Sequence, residues 1–122
     1  MTNTEYSDLA LRTAPGAENV EITATQKQLI LMALGLTGEA GEVAEMVKKH
    51  VFHGHPMDDG KVLKLLKELG DVLWYINYGA TTYARMPSIE TVMHMNIEKL
   101  EARYPEGFFS AERSMHRAAR DE

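Results

Sequence analysis

The sequence predicts an all-α protein, a helical bundle of three to four main helices. Apolar residues recur at helical spacing over two stretches that are too long for strands, residues 23–51 and 58–84. A third stretch follows Ser88, a residue type that favours the N-cap position, and runs through Leu100. Residues 6–13 are expected to form a short leading helix. Because no window alternates with a period of two for long enough, no sheet is expected.

Each main stretch carries one apolar stripe. The stripe of the first consists of Leu29, Met32, Leu36, Val43, Met46 and Val47. That of the second consists of Val62, Leu65, Leu66, Leu69, Val72, Leu73 and Ile76. That of the third consists of Ile89, Val92, Met93, Ile97 and Leu100. A polar turn from Gly54 to Gly60 separates the first two stretches, so these helices are expected to run antiparallel.

A chain of 122 residues has the length of one domain. We therefore expect a single domain over residues 1–122, with a core at about 23–109 and a polar tail at 110–122. The arginines of this tail are Arg113, Arg117 and Arg120. We interpret them as a solvated tail in preference to a contact with a phosphate or a neighbouring subunit.

Charge and composition exclude several classes of function. The formal net charge of -5 argues against a nucleic-acid polymer as partner, since phosphate contacts need a basic surface. The absence of cysteine excludes disulfides, thiolate zinc sites and thiol nucleophiles. No apolar run approaches the roughly 20 residues that cross a bilayer, and the N-terminus does not resemble a secretory signal. A cytoplasmic protein without a membrane partner is expected.

Two pairs of acids lie inside apolar stripes. Glu39 and Glu42 are three residues apart on the first long helix, and Glu68 and Asp71 have the same spacing on the second. This spacing places both carboxylates of a pair on one helix face. Antiparallel helices would therefore bring the two pairs toward each other.

Two interpretations of these acids compete. Such pairs are commonly solvated or paired with a nearby lysine, and Lys48, Lys64 and Lys67 are available for pairing. Four carboxylates inside one helical interface, however, need protonation or a cation to compensate their burial. An all-oxygen ligand set suits Mg²⁺, or alternatively Mn²⁺. We therefore favour a metal site.

Other metal sites fit less well. A ferritin-like di-iron site needs a histidine three residues after a glutamate, and the sequence contains no such pair. His53 and His55 lack a third zinc ligand at standard spacing, so we assign them to the turn. Gly35, Gly38 and Gly41 lie beside the first acidic pair. They predict either close helix packing or room for a ligand.

Three segments together resemble the MazG-like family of all-α nucleoside triphosphate pyrophosphohydrolases. They are residues 35–45 (GLTGEAGEVAE), 67–75 (KELGDVLWY) and 96–105 (NIEKLEARYP). The resemblance implies Mg²⁺-dependent hydrolysis of a nucleoside triphosphate between the α and β phosphates, in nucleotide-pool house-cleaning. It also implies a homo-oligomer, a homodimer or homotetramer that completes the active core.

The resemblance assigns roles to individual residues. The metal ligands would be Glu39, Glu42, Glu68 and Asp71, and the catalytic residues Glu39, Glu42 and Lys99. Asn96 and Lys99 would face the phosphates, with Arg103 and Tyr104 as further candidates for substrate binding. Trp74, Tyr75 and Tyr78 suit stacking on a nucleobase, although a core or subunit-contact role explains them equally well.

The chain departs from the family pattern at one position. Many members have two adjacent glutamates at the start of the first motif, whereas Gly38 occupies the earlier position here. This leaves open the number of metal ions and the identity of the general base, for which Glu45 is a further candidate. Two alternative functions also stay open. They are a phosphoribosyl-ATP pyrophosphohydrolase and a non-catalytic regulatory module that binds a nucleotide or metal.

Overall fold

The fold is all-α, as the sequence predicts. The computed structural model describes residues 1–16, 18, 20–82 and 88–115, and every regular element in these residues is a helix. The helices are α1 (Asn3–Leu11), α2 (Ala24–His53), α3 (Asp59–Thr82), α4 (Ile89–Arg103) and α5 (Ala111–Met115). Four of them correspond to the predicted segments.

Local sequence signals define the ends of α2. Thr23 caps its N-terminus: the hydroxyl accepts from the Gln26 backbone amide at 3.2 Å, and the Gln26 side chain accepts from the Thr23 amide at 2.8 Å. Gly54 ends the helix with a φ of 70°, a left-handed conformation that glycine adopts without steric cost. The chain then needs only a short connection before α3 starts at Asp59. The two long helices consequently pack as an antiparallel pair.

The α2–α3 pair is the main packing unit of the described residues, and α4 makes a smaller contact with α3. Glycines at one end of the pair allow close approach. A Cβ atom on Gly35 would lie 2.1 Å from Cε1 of Tyr75, and one on Gly79 would lie 2.8 Å from Cγ of Met32. Of the two roles predicted for Gly35, close helix packing is therefore the one observed.

Some boundaries differ from the sequence-based expectation. Helix α4 begins after Ser88, but the Ser88 side chain makes no capping hydrogen bond. It bonds the Glu90 carboxylate instead, which lowers the pKa of Glu90. Helix α5 falls in the segment expected to be a polar tail, and the Ser110 hydroxyl accepts from the Arg113 amide at its start. The predicted end of the second long helix at residue 84 lies outside the described residues, as do Arg117 and Arg120.

The single chain buries little apolar surface. Among the described residues, Ala80 is the buried hydrophobic residue and Glu68 the buried charged one. On α3, four residues at heptad-like spacing are exposed: Val62, Leu66, Leu69 and Leu73. This stripe, here called the outer face of α3, is exposed to solvent at all four positions. None of the described helices combines the length and the apolar character that a membrane crossing requires.

Candidate metal centre

Helices α2 and α3 bring three of the predicted carboxylates together. One oxygen each from Glu39, Glu42 and Glu68 lies within 4.8 Å of the others. The three residues, here called the acidic cluster, differ in exposure: Glu42 is exposed, Glu39 is half-buried and Glu68 is buried. The i, i+3 spacing on α2 and the antiparallel packing of α3 together explain this convergence.

Asp71 lies outside the acidic cluster, although its charge reaches it. Partial burial raises the pKa of Glu39, and the negative charges of Asp71, Glu42 and Glu68 raise it further. The cluster thus repels negative charge and attracts a cation. Carboxylate oxygens at this separation are a donor set that fits a hard divalent ion.

Lysines neutralise part of this charge. Nζ of Lys64 lies 3.6 Å from an Oε1 of Glu68, one turn along α3, so the predicted lysine pairing exists for this acid. Glu45 accepts hydrogen bonds from Lys48 and Lys49, which lower the pKa of its carboxyl group. Glu45 is therefore a weaker base than an unpaired glutamate, which reduces its suitability as the general base.

A cavity of about 410 Å³ adjoins the acidic cluster, between the C-terminal half of α2 and the first turns of α3. We call it the α2–α3 cavity. Its lining consists of Gly38, Gly41, Glu42, Glu45, Met46, Lys49, His50, His55, Pro56, Met57, Lys61 and Lys64. A Cβ atom on Gly38 or Gly41 would meet nothing within 4 Å. For Gly38 and Gly41 the two predicted roles were close helix packing and room for a ligand. The structure shows open space beside the acids, which agrees with the second role.

Comparison with known proteins identifies the family. A family model for the MazG nucleotide pyrophosphohydrolase domain matches residues 26–108, which include all of the acidic cluster. The chain belongs to this family. The resemblance predicted from the three segments is thereby confirmed, and the MazG domain is all-α like the fold described above.

The chain is also similar to a phage protein. Gene 37 protein of Mycobacterium phage L5 is 36% identical over 84 residues, which is 65% of this chain and 68% of the phage protein. Its name describes no activity. No solved structure matches the chain.

The predicted phosphate ligands lie on α4. Asn96 and Lys99 are exposed, and no hydrogen bond or ion pair of the described residues joins either side chain to the acidic cluster. Arg103 and Tyr104 are half-buried at the end of this helix, where the Tyr104 ring lies 5.8 Å from that of Phe109. The structure thus leaves the roles of these four MazG-domain residues as predictions.

The three aromatic candidates on α3 occupy different environments. The Tyr75 ring covers Gly35 and meets the Trp74 ring edge-on at 4.8 Å, so it packs between α2 and α3. The Trp74 ring stacks on Tyr78 at 5.3 Å and is 55% exposed. Trp74 therefore keeps a surface that a base or a subunit can contact, and Tyr75 is used in packing.

The lining of the α2–α3 cavity contains residues that sequence reasoning missed. The sequence pattern by itself predicts no role for Lys49 or Lys61, and for Lys64 it predicts only pairing with an acid. A usable signal was present: Lys61 and Lys64 precede Glu68 by seven and four residues, which puts all three on one face of α3. His50 and His55 lie at the turn, where a ring nitrogen of His50 is 2.7 Å from the His55 carbonyl oxygen.

Proposed function

We propose that this MazG-family protein hydrolyses (deoxy)nucleoside triphosphates between the α and β phosphates, giving a nucleoside monophosphate and pyrophosphate. Such a reaction removes non-standard or excess nucleotides from the nucleotide pool. The observation that carries the proposal is the convergence of Glu39, Glu42 and Glu68 beside an open cavity. Family membership supports the same class of reaction.

The carboxylates that would hold Mg²⁺, or Mn²⁺ in its place, are Glu39, Glu42, Glu68 and Asp71. Their fit rests on an all-oxygen donor set and on a repulsion among acids that a cation relieves. When bound, the ion neutralises charge on the polyphosphate and on the departing group. Glu68 would provide a buried ligand beside α2, and Glu42, which is exposed and lines the cavity, would provide another.

The chain's own residues perform the rest of the proposed reaction. A water oxygen attacks the α phosphorus, and its proton passes to a glutamate of the acidic cluster, either Glu39 or Glu42. The bond from the α phosphorus to the bridging oxygen breaks, and pyrophosphate leaves with the electron pair. Asn96 and Lys99 would contact the phosphate chain, where a lysine ammonium provides charge-assisted hydrogen bonds.

A second copy of the chain is part of this proposal. The single chain exposes 10190 Å². A folded monomer of 13.7 kDa is expected to expose about 6,600 Å², an excess of roughly 3,600 Å². Obligate interfaces bury about 2,000–5,000 Å² in total over both partners, so one or more such contacts would remove much of this excess. The outer face of α3 carries apolar residues at the spacing that helix–helix seams use, so it is our choice for the contact.

Sedimentation velocity of the full chain tests the assembly. A homodimer or homotetramer is expected, because a chain of this length cannot stabilise so much exposed apolar surface alone. Leu66→Lys together with Leu73→Lys on the outer face should shift the species toward monomer. A monomeric wild type that is fully folded at micromolar concentration would refute the second copy.

A substrate panel tests the reaction. Purified protein with MgCl₂ is incubated with deoxynucleoside and ribonucleoside triphosphates and with phosphoribosyl-ATP, and the products are resolved by phosphorus NMR. We expect pyrophosphate and a monophosphate from at least one triphosphate, and no turnover in EDTA. Orthophosphate as the first product would contradict α–β cleavage. Preference for phosphoribosyl-ATP would favour the alternative that the protein is a phosphoribosyl-ATP pyrophosphohydrolase. Tight binding of a nucleotide without turnover would favour a non-catalytic regulatory module.

A further inference from the structure

The α2–α3 cavity has an uneven charge distribution that the proposed chemistry leaves unexplained. Three lysines line it, together with two glutamates. Lys49 is paired with Glu45 at 3.2 Å, and Lys64 lies 3.6 Å from Glu68. Lys61 has no ion-pair partner in the part of the chain that the structure describes. Lys61 thus adds to the lining a positive charge that no acid of the described residues pairs.

Lys61, Lys64 and Glu68 lie on successive turns of α3. At 1.5 Å of rise per residue, Lys64 lies about 6 Å and Lys61 about 10 Å from Glu68 along the helix axis. The antiparallel register places Lys49 of α2 opposite Lys61, and both line the cavity. The positively charged side chains therefore lie between the acidic cluster and the α2–α3 turn.

The cavity and the acidic cluster are continuous. Glu42 belongs to both, and Lys64 joins them through Glu68. A matching ligand carries a divalent cation at one end and bare negative charge at the other. A chain of linked phosphates has this character, because it binds a divalent cation and also accepts charge-assisted hydrogen bonds from lysine ammonium groups. The cavity also falls within the size range of small-molecule sites.

We propose that the α2–α3 cavity binds inorganic pyrophosphate, both as the product and as the β and γ phosphates of the substrate, with Lys61 and Lys64 as its ligands. This inference rests on the proposed function for the identity of the ligand. It gives the phosphate chain a direction, because the three lysines of the cavity lie on the side of the acidic cluster nearer the α2–α3 turn. The nucleoside is consequently held on the side away from the α2–α3 turn.

Isothermal titration of the full chain with sodium pyrophosphate, in MgCl₂, tests the assignment without relying on turnover. Lys61→Gln is the cleanest variant, since Lys61 has no ion pair to lose. We expect it to weaken pyrophosphate binding at least tenfold, because a charge-assisted contact is lost. Lys61→Gln with Lys64→Gln should weaken it further, and Lys61→Arg should restore most of the affinity. Affinity for a nucleoside monophosphate should change less than twofold in each variant.

Lys67→Gln is the matched control, because Lys67 is exposed on the same helix and does not line the cavity. Its affinity for pyrophosphate should equal that of the wild type, and circular dichroism should show equal folding of all variants. A wild type that binds no pyrophosphate at millimolar concentration, or a Lys61→Gln variant with unchanged affinity, overturns the proposal. Lysine-dependent binding in a protein that releases no pyrophosphate from any triphosphate supports the cavity and refutes the proposed function.

Discussion

The two ends of the α2–α3 pair are built in opposite ways. At one end, Gly35 and Gly79 let the helices approach until Tyr75 and Met32 fill the space between them. At the other end, near the α2–α3 turn, Gly38 and Gly41 have no neighbour within 4 Å and line an open cavity. The same residue type thus closes the pair in one place and opens it in another.

This difference shows how a small helical protein positions a charged site. The closed end holds the helices in register, and that register brings Glu68 against Glu39 and Glu42. The acids repel one another, so they could not hold the helices together themselves. Packing at one end therefore stabilises an arrangement that electrostatics at the other end opposes.

The largest expected effect comes from neutralising the open end. Glu42→Gln keeps the size of the side chain and removes a charge from the acidic cluster, and Asp71→Asn removes one beside it. Each should lower kcat/KM for the triphosphate by about 10²–10⁴, because metal binding and proton transfer both depend on these carboxylates. Steady-state kinetics with saturating MgCl₂ measures the loss. Glu98→Gln, on the exposed surface of α4, is the control and should retain full activity.

The melting temperatures of these variants distinguish the loss of a catalytic charge from a loss of folding. Because Glu42→Gln relieves repulsion, the metal-free variant should unfold at the same temperature as the wild type or higher. Loss of activity together with a large drop in melting temperature would mean that Glu42 is needed for folding, contrary to the proposed division between the two ends.

The next effect concerns the closed end. In Gly35→Ala the new methyl group would meet the Tyr75 ring at 2.1 Å, so the helices must separate or the ring must move. We expect a loss of about 1–3 kcal/mol in the free energy of unfolding, the usual cost of overpacking. Urea denaturation measures it. Equal stability of variant and wild type would show that Tyr75 does not hold the register.

The sequence allowed much of this arrangement to be predicted. Apolar periodicity located the four longer helices, and the i, i+3 spacing identified acids that share a helix face. Periodicity does not specify which turn of α3 faces which turn of α2. The exclusion of Asp71 from the acidic cluster and the contact of Tyr75 with Gly35 both depend on that register. The sequence likewise reveals no place for Lys61 or Lys64 in a cavity, because the cavity depends on the residues of α2 across from them.

A third effect concerns pH. In the folded protein, burial and neighbouring acids raise the pKa of Glu39 above its ordinary value of 4.5. Between that value and the raised one, the folded state binds more protons than the unfolded state, so stability falls as pH rises through this window. In EDTA, Glu39→Gln should therefore be more stable than the wild type at neutral pH. The difference should vanish as pH falls below 4.5, which thermal melts from pH 4 to 8 can follow.

The smallest effect is a gain. Gly41→Ala places a methyl group in open space, so it should stabilise α2 by about 0.5–1 kcal/mol through the higher helix propensity of alanine. Urea denaturation measures the free energy of unfolding of both Gly41→Ala and Gly35→Ala. The two variants form a matched pair, with one substitution at each end of the α2–α3 pair. A destabilised Gly41→Ala would indicate that the space beside Gly41 at the open end is occupied in the folded protein, for instance by a second copy.

Direct measurement of metal binding tests the central claim that the acidic cluster is a divalent-cation site. Mn²⁺ is titrated into the metal-free protein and the free ion is followed by electron paramagnetic resonance, with Glu68→Gln and Glu98→Gln compared in parallel. We expect the wild type and Glu98→Gln to bind Mn²⁺ saturably, and we expect Mg²⁺ to displace the bound Mn²⁺. The affinity of Glu68→Gln for Mn²⁺ should be at least tenfold lower. Equal Mn²⁺ binding by Glu68→Gln and the wild type would contradict the assignment.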